Sequence, residues 1–187
     1  MHHSFHPPRH IVFHEVGHAM MCFATRVGIE EVSVETFFHA GRVDIEGQSA
    51  AETHHLISIA GPVAQQMFAP DSVKDNRLRG LLFNVNLAHD YKHWKNMEVA
   101  VSPGSNCWHD DLWDFYRTIC TPLATCAERV PPFARAEEKT RSFLAAQKVT
   151  EAAHVLADEL ISKNRVSGAD AEAIISQFFA ADMFSTL

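Results

Sequence analysis

The sequence predicts a mainly α-helical single domain that carries one small β-hairpin. Three observations predict this fold class. Apolar residues recur at helical spacing in most long segments, and only one pair of short segments alternates as strands do. The 187 residues, 47% of them hydrophobic, are enough for one sizeable core. We expect an N-terminal tail over residues 1–8 and one domain over residues 9–187.

The first predicted helix is followed by the predicted hairpin. The helix runs from about Arg9 to Thr25, with apolar residues on a helical period and two prolines directly upstream. The next segment, EEVSVETFFHAGRVDIEG, has two short alternating runs on either side of a turn at residues 39–41, which is typical of a β-hairpin. Either the strand Val32–Phe38 or the strand Arg42–Ile45 is a candidate free edge of the sheet.

Further helices complete the predicted domain. We expect a second helix over residues 49–69, kinked or interrupted at Gly61 and Pro62. A third is predicted over residues 81–101, and one or two short helices over residues 110–130. A long alanine-rich helix is predicted over residues 135–164, followed by a final helix with Ser167 as its N-cap.

Composition excludes several classes of function. The net charge of −7 provides no basic surface for nucleic acid. No apolar stretch is long enough to span a bilayer, and the N-terminus lacks a charged region followed by an apolar run. The four cysteines form no CxxC pair, as is usual in a reduced cytosolic chain. The sequence therefore predicts a cytoplasmic protein without nucleic-acid or membrane partners.

The first predicted helix contains an HExxH motif, formed by His14, Glu15 and His18. Residues i and i+4 lie about 40° apart around a helix, so the two histidines can bind one ion. Neutral imidazoles suit zinc, and a catalytic zinc keeps one position open for water. Glu15 then lies where it can take a proton from that water. The motif predicts a zinc site with Glu15 as general base. In a chain with 13 histidines, a chance match is the alternative.

A third zinc ligand is needed, and the residue types alone leave it open. A structural zinc site would need four ligands in a closed shell, often cysteines, which the chain does not offer in a recognisable pattern. The candidates are histidines and aspartates that follow the motif: His54, His55, His89, Asp90, His93, Asp110 and Asp111.

Several segments resemble the peptidase domain of the FtsH-type AAA+ zinc metalloproteases. The stretch HIVFHEVGHAMM is similar to the family's aromatic residue followed by HEAGHA. LISIAGPVAQQMF resembles the pattern LxGGRAAEEL and places Gly61 on a family glycine. NLAHDYKHWKNMEVAV resembles SNDLxxATxLAxxMV, and VLADELISKNRVSGADAEAII is similar to the family's closing segment. The resemblance extends from Arg9 to about Ile175 and implies a zincin-like helical peptidase fold.

The resemblance also implies a choice of third ligand. The family's zinc-binding aspartate falls on Asp90, so the implied ligands are His14, His18 and Asp90. The chain departs from the pattern at the family's paired glutamates, which are Gln65 and Gln66 here, and at the two residues before the aspartate, Ala88 and His89. His89 or His93 is a candidate to assist or compete at the metal, or is an ordinary surface residue.

These observations together predict a zinc-dependent endopeptidase that cleaves unfolded or extended polypeptides. The family carries a membrane anchor and an ATPase module, and this chain contains no GxxxxGK[ST] phosphate loop. We therefore expect peptide cleavage without ATP, or a separate ATPase partner. The family's hexameric rings imply a homo-oligomer, if the ring does not depend on the ATPase module. The alternative function is a catalytically silent domain that acts as a binding or regulatory module.

The predicted hairpin is the candidate substrate site. Extended peptides commonly pair with an exposed strand and gain main-chain hydrogen bonds. Val32, Val34 and Phe37 are the residues that we expect to contact substrate. The alternative is that the hairpin only covers the helical core.

Overall fold

The computed structural model describes residues 6–35, 40–47, 51–70, 111 and 126–179. It confirms a mainly helical chain with a small antiparallel sheet. In chain order the elements are α1 Arg9–Ala24, β1 Ile29–Glu35, β2 Ala40–Ile45, α2 Ala51–Phe68, α3 Cys126–Leu144, α4 Gln147–Lys163, β3 Arg165–Ser167 and α5 Gly168–Ser176.

Helix α1 lies at the centre of the described fold. Every residue from 11 to 22 is buried, and the helix packs against α2, α4 and the sheet. Gly17 allows the closest of these contacts. A Cβ at this position would overlap the carbonyl oxygen of Ala60 and lie 2.5 Å from the Cβ of Ala64. The cost of a mid-helix glycine, about 1 kcal/mol, is therefore offset by direct backbone packing between α1 and α2.

The sheet has the strand order β2–β1–β3, with both pairs antiparallel. The predicted hairpin is confirmed, with Val32 opposite Val43. Its turn was predicted too late in the chain, because Ala40 and Gly41 belong to β2 and pair with Glu35 and Val34. Strand β3 was not predicted, because three residues are too few to show an alternating pattern. It pairs with the middle of β1, so β1 is the central strand and β2 lies at an edge of this three-stranded sheet.

One helix prediction is narrowed and another needs correction. Of a kink or an interruption of α2 at Gly61 and Pro62, the interruption is excluded, because Pro62 lies inside one continuous helix. The predicted helix over residues 135–164 is instead two helices, separated at Ala145 and Ala146, where Ala146 is extended. The break carries no glycine or proline. The Thr150 hydroxyl donates to the Leu144 carbonyl across it, at 2.8 Å, and so stabilises the end of α3.

The predicted N-cap is confirmed: Ser167 Oγ accepts a hydrogen bond from the backbone N–H of Asp170, at 3.2 Å. In the ranges that the structure describes, no helix is both long enough and apolar enough to cross a membrane. The predicted helix over residues 81–101 lies outside the described residues, as do Phe37, His89, Asp90 and His93.

Candidate metal centre

The two histidines of the HExxH motif meet at one point beside α1. The Nε2 atoms of His14 and His18 are 3.1 Å apart, and the rings are nearly perpendicular. Both side chains are almost fully buried, at 2% and 8% exposure. The predicted pairing of residues i and i+4 at one site is therefore present in the structure.

Asp111 supplies a third donor atom to the same point. Its Oδ2 lies 2.7 Å from His14 Nε2 and 3.4 Å from His18 Nε2. Its backbone is helical, and its side chain is 19% exposed, more than either histidine. In the part of the chain that the structure describes, His14, His18 and Asp111 are the group whose donor atoms could hold a metal ion.

The other ring nitrogen of each histidine contacts an acceptor. His18 Nδ1 donates to the carbonyl oxygen of Ile57, at 2.7 Å. A carbonyl oxygen can only accept, so this nitrogen carries the proton. His14 Nδ1 lies 3.2 Å from Oε1 of Gln65, which acts as the acceptor when Nδ1 is protonated. Metal-binding histidines commonly have this arrangement, in which the outer nitrogen donates and the inner nitrogen is left as a ligand.

The three donor atoms that face one another, His14 Nε2, His18 Nε2 and Asp111 Oδ2, need a cation between them. With the ring protons on Nδ1, the Nε2 atoms of His14 and His18 and the Oδ2 of Asp111 present three lone pairs at 2.7–3.4 Å. Lone pairs at such distances repel unless a proton or a metal ion lies between them. Bonds of about 2.0–2.1 Å in a tetrahedral zinc site place neighbouring ligand atoms roughly 3.3 Å apart. The donor set and its spacing therefore fit zinc or a similar divalent ion.

In the metal-free protein, a proton on His18 takes the place of that cation. Burial lowers the pKa of His18, but the charge and hydrogen bond of Asp111, the charge of Glu15 and the Ile57 carbonyl together raise it to about 9. Burial would raise the pKa of Asp111, but the charges and hydrogen bonds of His18 and His14 outweigh this and lower it. Both shifts indicate a site that attracts positive charge.

Glu15 is buried beside this group, at 3% exposure. Burial raises the pKa of its carboxyl group, the charges of His14 and His18 oppose this rise, and the charge of Asp111 adds to it. Its side chain packs against Gly41 of β2, where a Cβ would lie 2.6 Å from Glu15 Oε1. The candidate base therefore lies between the metal-binding group and the edge strand.

Gly61 forms the floor of the site on α2. A Cβ at this position would overlap His18 Nε2 and lie 2.8 Å from His14 Nε2. Only a glycine leaves room for both ligand nitrogens against this helix. The resemblance places Gly61 on a glycine of the pattern LxGGRAAEEL, and the contact with the two imidazoles gives a physical reason for a glycine at this position.

Two of the residues predicted to contact substrate, Val32 and Val34, are not exposed at the surface. Val32 and Val34 are core residues, at 0% and 4% exposure, on the inner face of the central strand. Their side chains therefore contribute to the core, as the alternative interpretation held. Of the two strands predicted as a candidate free edge, β1 is central in the described sheet, and β2 lies at an edge. Phe37 lies outside the described residues.

The resemblance selected Asp90, which lies outside the described residues, whereas the structure brings Asp111 to the two histidines. A sequence signal for Asp111 exists. The quoted pattern has leucine directly after the aspartate; Leu112 follows Asp111, but Tyr91 follows Asp90.

Burial raises the pKa of the Cys22 thiol to about 12, so this cysteine stays protonated. His54 and His55 are described but do not belong to the group of possible ligands.

No protein-family model and no curated protein sequence matches this chain.

Proposed function

We propose that this chain is a zinc-dependent endopeptidase of the FtsH peptidase type, with His14, His18 and Asp111 as metal ligands and Glu15 as general base. One observation carries the proposal: three donor atoms converge within 3.4 Å directly beside a buried glutamate of the same helix. Two imidazoles and one carboxylate are a donor set typical of catalytic zinc, which leaves a coordination position open.

The residues divide the chemistry of peptide hydrolysis among them. When bound, zinc supplies a Lewis acid and lowers the pKa of a bound water. The Glu15 carboxylate takes a proton from the attacking water and returns it to the leaving amine nitrogen. Asp111 adds the one negative charge among the three ligands, and Gln65 and the Ile57 carbonyl orient the imidazoles.

The sheet edge supports an extended polypeptide as the substrate. Within the residues that the structure describes, strand β2 pairs with β1 on one side only, and its Gly41 lies against Glu15. A peptide added to the other side of β2 forms main-chain hydrogen bonds, which do not depend on its sequence. Unfolded or extended segments are therefore the substrate class that this arrangement favours.

Zinc analysis and casein hydrolysis by the wild type and Glu15→Gln test the proposal. We expect Glu15→Gln to retain zinc and to lose hydrolysis by about 10²–10⁴-fold, the usual contribution of a general base. A wild type that binds zinc but cleaves no unfolded protein would instead support a silent binding or regulatory domain. A wild type that binds no zinc would contradict the metal site itself.

A second pair of variants identifies the third ligand. We expect Asp111→Asn to weaken zinc binding by more than about a hundredfold, because it replaces an anionic ligand by a neutral amide and so weakens a direct ligand and not just a partner of one. Asp90→Asn is the matched control and should leave zinc affinity unchanged. The reverse outcome would restore Asp90 as the ligand and place Asp111 in a supporting role.

A further inference from the structure

Gln65 is a buried polar residue of α2 that contacts the metal-binding group without belonging to it. The residue is 4% exposed, and its Oε1 lies 3.2 Å from His14 Nδ1. We propose that Gln65 is a positioning residue that fixes the ring orientation and tautomer of His14 without adding charge to the site. This inference rests on the proposed metal site and concerns how tightly that site holds its ion.

The two ring nitrogens of His14 have different partners. Its Nε2 is directed at Asp111 and His18, so a metal ligand there requires the proton on Nδ1. An acceptor at Nδ1 stabilises that tautomer and restrains ring rotation. Gln65 provides the acceptor through its amide oxygen, from a side chain that is itself buried.

The acceptor at Nδ1 of His18 is of a different kind. His18 Nδ1 donates to a backbone carbonyl, that of Ile57, which no substitution removes. Among the described contacts to the two imidazoles, Gln65 is therefore the acceptor that depends on residue type. The strength with which the site holds its ion can be tuned at this position.

The net charge of the buried site favours a neutral side chain at position 65. A divalent ion, two neutral imidazoles and the carboxylates of Asp111 and Glu15 together carry no net charge. A glutamate at position 65 would add a negative charge inside a buried site, and burying an unbalanced charge is costly. The amide of Gln65 accepts the same hydrogen bond and keeps the site neutral.

The neighbouring residue offers a matched control. Gln66 is also a glutamine of α2, but its Oε1 accepts a hydrogen bond from the Arg141 side chain of α3. Replacing Gln66 therefore removes a glutamine amide from the same helix and leaves the His14 contact intact.

The test measures zinc affinity of the full chain by competition with a chromophoric chelator. We expect Gln65→Met, which is close in size but accepts no hydrogen bond from Nδ1, to bind zinc roughly 10–100-fold more weakly. Gln65→Glu restores the acceptor and adds negative charge, so it should bind zinc more tightly than the wild type. Gln66→Met should match the wild type.

A packing role for Gln65 predicts the opposite order. Methionine would then leave zinc affinity at the wild-type value, and the glutamate variant would bind zinc more weakly than the wild type, whatever either change does to folding stability. If Gln65→Met does not fold, Gln65→Glu still decides, because weaker zinc binding than in the wild type overturns the inference.

The two proposals fail in distinguishable ways. Wild-type affinity in Gln65→Met, with zinc bound by the wild type and lost in Asp111→Asn, overturns the positioning role alone. A wild type that binds no zinc overturns the proposed function and this inference together.

Discussion

Two glycines border the HExxH residues on opposite sides, and they make different contacts. Gly61 of α2 lies against the imidazoles of His14 and His18, whereas Gly41 of β2 lies against the carboxylate of Glu15. Both leave no room for a Cβ. Gly61 contacts the proposed metal ligands, and Gly41 contacts the proposed general base.

Under the proposed function, this difference places metal binding and proton transfer on different sides of the site. The α2 side combines Gly61, Gln65 and the Ile57 carbonyl, all of which act on the two histidines. The β2 side acts on Glu15 and carries the sheet edge. Substitutions on the two sides should therefore affect different measurements, and that expectation can be tested.

Gly61→Ala should produce the largest effect. Its Cβ would overlap His18 Nε2, and the buried imidazoles cannot move away without losing their Nδ1 partners. We expect zinc affinity to fall by more than about a hundredfold, beyond what loss of one supporting hydrogen bond causes. Chelator competition and loss of hydrolysis in the same samples measure the effect.

Gly28→Ala is the control for this substitution. At that position the nearest atom to an added Cβ is Oε2 of Glu46, the end of an exposed and flexible side chain, so zinc affinity should not change. Alanine also favours a helix interior over glycine by about 1 kcal/mol. Weaker zinc binding in Gly61→Ala would therefore not follow from helix propensity. Wild-type zinc affinity in Gly61→Ala would contradict the proposed role of the α2 side in metal binding.

Gly41→Ala should act on catalysis instead. An added Cβ displaces the Glu15 side chain, and a displacement of about 1 Å in an active site can cost roughly a hundredfold in rate. We expect casein hydrolysis to fall by about 10–100-fold while zinc affinity stays at the wild-type value. Parallel measurement of bound zinc and of hydrolysis distinguishes the two quantities.

The double variant Gly41→Ala, Glu15→Gln shows whether the effect passes through Glu15. If it does, adding Gly41→Ala to Glu15→Gln should lower hydrolysis little further, because residues that act as a unit are not additive. Fully additive losses would mean that Gly41 acts on β2 itself and not on the base.

The α2 side of the site was more predictable from sequence than the β2 side. His14 and His18 follow from a four-residue spacing on one helix, which is local information. Gly61 was located by the resemblance, but its contact with the imidazoles depends on how α1 and α2 pack. Gln65 was noted only as a departure from the pattern, since no sequence rule places its amide at His14 Nδ1.

What the sequence left open or missed depends on contacts between distant segments, and Asp111 was one of several candidates for the third ligand. Asp111 is 97 residues from His14, and only the fold brings it there. Strand β3 exists because three residues after α4 pair with β1. The break between α3 and α4 falls at two alanines, residues that favour a helix, so packing overrides local propensity there.

The smallest expected effect is a pH dependence on the α2 side. In the metal-free protein the pKa of His18 is raised from 6.5 to about 9, so its protonated form stabilises the fold below pH 6.5 and this stabilisation is lost as pH rises through 9. Zinc binding below pH 9 must displace that proton. We expect zinc affinity to rise about tenfold from pH 7 to pH 8, for one proton displaced. Calorimetry in buffers of different ionisation enthalpy should count about one proton released at pH 7. A count of zero, with affinity independent of pH, would mean that His18 carries no extra proton before zinc binds.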